Sequence, residues 1–319
     1  MPTLYPLKFS PQFEYRPWGG RRLADLVSTV LPEGAPVGEA WLLSDRDGHQ
    51  SVVAEGALKG TSLNRLLEQW PLELMGTERQ ACSRFPLLLK FLDVTDSLSV
   101  QVHPAGKTEA WVVLAAGGDA LVYAGLKADT TAQLLRTAIA QGEVPGTLVP
   151  LTPQVGDAIL IPAGTVHCLH DLLVFEVQEN CDVTYRLYDW DRIDGRTHAP
   201  RPLQVEEALA CIGFPPHPVC AATPVVECAE PVLRERLVGC SFFGLARVHA
   251  RTTFMVGTVG APSILVCIEG EGNVMHADTA FSLARGDLML LPAALGACHC
   301  VPEASLTLLE VSLPRGVTA

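Results

Sequence analysis

GDAILIPAGTVH at residues 156–167 and GDLMLLPAALGA at residues 286–297 set Gly against Gly, Asp against Asp and Pro against Pro. Each begins on a turn dipeptide, runs through a short apolar stretch and stops at a proline. That is the pattern of a short buried strand bounded by turn residues. Its recurrence on either side of a Pro-rich stretch implies two related β modules. The copies differ at their last residue, which is His167 in the first and Ala297 in the second. One module therefore offers a metal-capable side chain where the other offers a methyl group.

Working outward, most apolar segments are short, β-branched and punctuated by Gly or Pro, which predicts an all-β chain of sandwich or barrel type. Three stretches depart from this and predict packing helices. Ser62 to Trp70 places Leu63, Leu66, Leu67 and Trp70 at helical spacing, with Thr61 or Ser62 as N-cap. Asp129 to Ala140 sets Thr130 and Gln133 as a capping box ahead of Leu134, Leu135, Ala138 and Ile139. Pro202 to Ile212 opens on a proline, has acidic residues in its first turn and buries Val205, Ala208, Leu209 and Ile212. Residues 213–231, GFPPHPVCAATPVVECAEP, lack periodicity and read as an extended linker. The expected division is residues 1–212, the linker, and residues 232–319.

The 319 residues carry 23 Lys plus Arg against 35 Asp plus Glu, a formal net charge of −12. Such an acidic chain is a poor partner for nucleic acid, whose phosphates are held by basic patches. A small phosphorylated ligand needs only a few local donors and stays open. No uninterrupted apolar run approaches the ~20 residues of a membrane helix, and the opening MPTLYPLKFSPQFEYRPWGG lacks the pattern of a secretory signal. The ten cysteines are scattered, so reduced thiols in a cytoplasmic protein are expected. Cys298 and Cys300 around His299 look superficially like a zinc cluster, but there is no Cys-x-x-Cys pair, and core or surface thiols are the expected reading.

LSVQVHPAGKTEAWVVL, residues 98–114, alternates like a strand yet carries Gln101, His103 and Glu109. Gln101 and His103 are two apart and share a face. In the stretch ending at His167, Pro162 and Gly164 let the chain double back and deliver the histidine inward. Two imidazoles, a carboxylate and an amide oxygen suit Zn2+, Fe2+ or Mn2+ with open positions. Taken singly, each residue is more often a core or turn group. Together, the spacings Q-x-H-x5-E and G-x5-P-x-G-x2-H resemble the two metal motifs of the cupin superfamily, which implies double-stranded β-helix (jelly-roll) modules.

LLLKFLDVTDSLSVQVHP, GKTEAW, IPAGTVH and ENCDVTYRLYDWDR further resemble the short bacterial form of type I mannose-6-phosphate isomerase, as do PWGG and VGEAWLLSD. The resemblance runs from about residue 5 to about residue 210, and the last hundred or so residues read only as a degenerate cupin. It implies one Zn2+ per chain on Gln101, His103, Glu109 and His167, an active-site arginine at Arg186, and Ser99 and Lys107 near a sugar phosphate. Glu176, on LLVFEVQEN, is a candidate general base, with a structural hydrogen bond as its other reading. Lys90 is a candidate substrate contact or an ion-pair partner. Arg192 is expected to pair with Asp189 or Asp191, and Asp182 and Tyr185 are candidate braces for Arg186.

The implied reaction is aldose–ketose isomerisation of mannose 6-phosphate to fructose 6-phosphate through an enediol. Only Pro-Ala-Gly-Lys-Thr separates His103 from Glu109, shorter than the loop the resemblance implies, which predicts an open cleft. A non-catalytic sugar-phosphate-binding cupin and, less well supported, an Fe2+ cupin oxygenase are the alternatives. Neither motif nor composition specifies an oligomeric state.

Overall fold

The computed structural model describes residues 4–77, 82–216 and 219–314. Two nine-stranded antiparallel sheets dominate it. In the first, the order is Ala158–Ile161, Glu109–Leu126, His167–Glu179, Leu87–Val94, Gln12–Gly20 and Val37–Leu43. Val100–Val102 joins this sheet beside His167–Glu179 and carries Tyr185–Tyr188 on its other side. The second sheet is built around the long strands Ser263–His276 and Cys298–Ser312, which pair with each other.

Strand alternation sorts the side chains. On Glu109–Leu126, Trp111 and Val113 enter a core inside the first sheet, while Ala110 and Val112 enter the core shared by the two sheets. Phe91 and Phe175 meet edge to face in the shared core, together with Ile264 and Leu290 of the second sheet. The second sheet encloses its own apolar cluster, in which Cys267, Cys298 and Cys300 pack among Val274, Leu291 and Leu306. His299 lies exposed between those buried thiols, so no cluster forms there. The ten cysteines are free.

The internal echo has a backbone cause. Gly156 and Gly286 both adopt the left-handed region, at φ 93° and φ 91°, where an L side chain is strained. Each is the third residue of the turn that launches its short strand, Ala158–Ile161 or Leu288–Leu291, closed by the Asp157 N–H on Gln154 O and the Asp287 N–H on Ala284 O.

The helices appear with shifted ends. Leu63–Gln69 has Ser62 at its N-cap, and a short helix, Pro71–Met75, follows it unforeseen. Ala132–Gln141 is capped by Thr131, whose hydroxyl accepts the Leu134 N–H at 3.2 Å. The expected cap, Thr130, is instead buried, with its N–H donating to Lys127 O in a preceding turn. Val205–Cys211 begins after Gln204, not at Pro202, because the Gln204 side chain is committed to the Arg186 backbone.

Within residues 213–231, Val225–Cys228 forms an edge strand on Leu233–Gly239, with Pro224 and Pro231 flanking it. The Ala222 N–H donates to Ala158 O, which fastens this stretch to the first sheet; His217 and Pro218 lie outside the described residues. Leu7–Lys8, at the other end of the chain, pairs with Leu288–Leu291 in the second sheet. No helix among the described residues is long and apolar enough to cross a membrane.

Candidate active site

Three strands of the first sheet deliver the metal-capable residues to one place. Gln101 sits opposite His167 on one side and Arg186 on the other in the strand ladders. Glu109 begins its strand between Ile161 and Gln178. The turn at Gly164 (φ 83°) donates its N–H to His103 O at 2.9 Å, joining the ends of two ligand-bearing segments. A Cβ at Gly164 would stand 2.7 Å from Cys211 O, so the close approach also demands glycine.

The side chains then converge. His103 Nε2 lies 3.1 Å from Glu109 Oε2, and His167 Nε2 lies 3.3 Å from Glu109 Oε1. Ligand atoms of these three residues all fall within 4.8 Å of one another. His167 Nδ1 contacts Thr165 O at 2.8 Å; a carbonyl can only accept, so Nδ1 carries the proton and the Nε2 lone pair faces Glu109. Burial pushes the pKa of His103 down to about 3 and lowers that of His167, so both rings are neutral. Burial works against charge on Glu109 as well, but its pKa is lowered all the same, and Lys107 is the cation beside it that favours the ionised carboxylate.

This geometry fits a cation. Among the described residues neither oxygen of Glu109 accepts a hydrogen bond, although the residue is only 1% exposed. A buried carboxylate without donors is costly, and a divalent ion between it and two imidazoles removes that cost. Gln101 Nε2 faces His167 Nε2 at 3.2 Å, while its Oε1 accepts from Ser99 Oγ at 3.1 Å. Turning the amide over exchanges oxygen and nitrogen at nearly unchanged shape and presents the oxygen inward.

A cavity of about 420 Å³ opens above this floor. Glu176 lines it, buried, with Oε2 accepting the Trp111 Nε1–H at 2.9 Å. Burial pushes the Glu176 pKa up to about 7; the negative Glu109 adds to this, while Lys90, Lys107 and Trp111 oppose it. Lys90 lies 3.7 Å from Glu176, 3.7 Å from Glu39 and 3.6 Å from Asp182, with its ammonium over the Trp41 ring. Burial disfavours the Lys90 charge, but the three carboxylates overcome it and the pKa is raised. Lys107 donates to Thr184 Oγ1 at 3.3 Å, and its pKa is lowered by burial.

Of the residues singled out in the sequence, Gln101, His103, Glu109, Glu176, Lys90, Lys107, Asp182 and Arg186 line this one cavity, and His167 closes its floor beneath Glu109 and Gln101. Ser99 does not line it: the side chain is buried and its hydroxyl is spent on Gln101. Asp182 and Tyr185 make no hydrogen bond to Arg186; the Gln204 amide oxygen accepts the Arg186 N–H at 3.1 Å, and Gln204 N donates back to Arg186 O. Arg192 reaches Asp189 only at 3.8 Å and lies 3.4 Å from Asp96, whereas Arg201 takes Asp189 in a fork at 2.5 and 2.8 Å. Arg16, Glu39, Trp111, Asp194 and Arg201 also line the cavity and were not singled out. Four of them sit in or beside the quoted segments: Trp111 is two residues from Glu109, and the other three lie too far from the ligands in sequence for spacing to reveal them.

A curled antiparallel sheet that brings two histidines and a glutamate to the floor of an open cavity defines a metal-site protein of the cupin type. Residues 6–123 match the family model for the phosphomannose isomerase type I catalytic domain. The chain is 35% identical to mannose-6-phosphate isomerase ManA of Bacillus subtilis, covering 92% of this chain and 95% of that protein. It is 32% identical to the mannose-6-phosphate isomerase of Streptococcus mutans, covering 90% and 92%. The crystal structure of the mannose 6-phosphate isomerase from Bacillus subtilis superposes with a TM-score of 0.87 at 30% identity, over 97% of this chain and 99% of that one. The chain belongs to the type I mannose-6-phosphate isomerase family.

Proposed function

We propose that the chain interconverts mannose 6-phosphate and fructose 6-phosphate, with one Zn2+ held by Gln101, His103, Glu109 and His167. The observation that carries this reading is the pair of orphaned Glu109 oxygens facing two neutral imidazoles, in the same cavity as the buried carboxyl of Glu176. Bound zinc would supply a Lewis acid that polarises the carbonyl and hydroxyl oxygens at C1 and C2.

The remaining work falls to side chains. Glu176, poised near neutrality, takes the proton from C2 of the open-chain aldose and returns it at C1, through an enediol(ate). Trp111 fixes the direction of the Glu176 carboxyl, and Lys90 limits how far its pKa climbs. Arg186, opposite Gln101 in the ladder, sets a permanent positive charge at the cavity wall that steers the anionic substrate. Ala105 and Gly106 form the exposed turn between His103 and Glu109, so that segment does little to exclude water.

The test is direct observation of fructose 6-phosphate by NMR after mannose 6-phosphate is added to zinc-reconstituted protein. Product that disappears on chelation supports the reading. Absence of product from protein holding one zinc would replace it with a sugar-phosphate-binding role.

A further inference from the structure

The cavity contains more cations than the metal floor and the base require. Arg16, Lys90, Lys107, Arg186 and Arg201 all line it. In three of them every side-chain nitrogen already has a partner. The Arg16 fork is engaged by Glu39 at 3.0 and 2.9 Å, with Nη1 donating to Tyr15 O. Lys90 sits among three carboxylates, and Lys107 lies beside Glu109 with its amine on Thr184.

Two guanidiniums are different. Arg186 Nε is buried with no hydrogen-bond partner, and among the described residues its side chain makes no hydrogen bond. Arg201 commits Nε and Nη2 to Asp189 and leaves Nη1 without a partner among the described residues. After burial itself, the positive charge of Arg201 is the strongest influence disfavouring the charge on Arg186. Two like charges with spare donors at one cavity wall are costly unless an anion joins them. A planar fork with free N–H groups matches the tetrahedral oxygens of a phosphate.

We infer that Arg201, held in orientation by Asp189, forms with Arg186 the seat for the phosphate of the substrate, and that Arg201 thereby determines the preference for phosphorylated over neutral sugars. This rests on the sugar-phosphate reading above. It moves the phosphate contact away from Ser99, whose hydroxyl points to Gln101. Arg16 contributes charge to the seat, but each of its side-chain nitrogens already donates elsewhere.

Binding measured independently of turnover tests it. 31P NMR titrations give Kd for mannose 6-phosphate on zinc-loaded protein, and for inorganic phosphate on the same protein after chelation. Arg201→Gln is expected to raise the mannose 6-phosphate Kd by about tenfold or more, the loss of a charge-assisted hydrogen bond. Inorganic phosphate is expected to bind the chelated wild type and to be lost in the variant. If Arg201→Gln does not fold, as judged by circular dichroism and zinc content, Arg201→Lys carries the test. It keeps one bond to Asp189 but loses the fork, and is also expected to raise Kd. A folded variant with the wild-type Kd would overturn the assignment, and so would phosphate binding that vanishes with the metal. A wild type that binds mannose 6-phosphate through Arg201 yet forms no product would sink the isomerase reading and leave the seat standing.

Discussion

The Trp111 indole donates its N–H to Glu176 Oε2 across 2.9 Å, while the same ring stands edge-on to His167 at a centroid distance of 5.4 Å. One side chain therefore aims the proposed base and packs the proposed metal ligand. Donation to a carboxylate favours its ionised form, so removing the N–H raises the Glu176 pKa. The base must be unprotonated, so activity falls as pH drops through that pKa. A bound divalent cation lowers the value further, which places the acid limb of kcat/KM at or below about 7. Trp111→Phe keeps the ring and is expected to move this limb upward by about one unit, with rate recovering at alkaline pH. A pH–rate profile decides it; an unmoved limb would mean that the indole only fills space.

Metal and stability are linked through Glu109. An ion that binds only the folded chain raises its stability by about 4 kcal/mol at a thousandfold excess over Kd. Calorimetry with and without zinc should show an upward shift of Tm in the wild type, and Glu109→Gln should abolish that shift. His103→Ala and His167→Ala should lose bound zinc and turnover together, whereas Arg186→Gln should keep zinc and lose rate. Stoichiometric zinc and full turnover in His103→Ala would remove the site assignment.

The β class and the ligand-bearing segments were legible because their signals are local. Glycines at positive φ, prolines at strand ends and period-two alternation are backbone requirements; the glycines and the proline appear in GDAILIPAGTVH, the alternation and a closing proline in LSVQVHP. Glu176 was a candidate base from its strand segment, and the fold places it in the cavity lining. What spacing could not reach was partnership across the sheet. Glu39 meets Lys90 and Arg16 through three different strands, and Arg201 meets Asp189 across a loop whose path no periodicity describes. The N-cap at Thr131 was misplaced for a related reason: two adjacent threonines offer the same hydroxyl, and burial of Thr130 chooses between them.

Ser99 offers a sharp discrimination. Its hydroxyl lies 3.1 Å from Gln101 Oε1 and away from the cavity lining, so it orients a proposed ligand. Groups that orient metal ligands are typically worth about 10–100-fold in affinity. Ser99→Ala is expected to weaken zinc binding by about tenfold while leaving KM for mannose 6-phosphate at saturating zinc within about twofold. Competition with a chromogenic chelator gives the first quantity and steady-state kinetics the second. A raised KM with zinc affinity intact would return Ser99 to the substrate.

Glu39 is the carboxylate on which the cavity wall depends. It accepts from Arg16 at 3.0 and 2.9 Å and from the Trp41 indole at 2.6 Å, with Lys90 at 3.7 Å. Burial works to raise its pKa, but the charges of Lys90 and Arg16 prevail and bring it down to about 2, from 4.5 for the free side chain. A carboxyl whose folded pKa is depressed stabilises the fold above its unfolded value and loses that contribution as pH falls through the folded one. The contribution here, about 3 kcal/mol, is therefore complete above about pH 4.5 and disappears toward about pH 2. Glu39→Gln cannot ionise, and it leaves two buried cations short of a partner. Its Tm should lie below that of the wild type at neutral pH, and the gap should close as pH falls through this window. Thermal melts of both proteins between about pH 6 and pH 2 make the comparison over that range. A gap that stays constant would show that the side chain acts there through shape and not through charge.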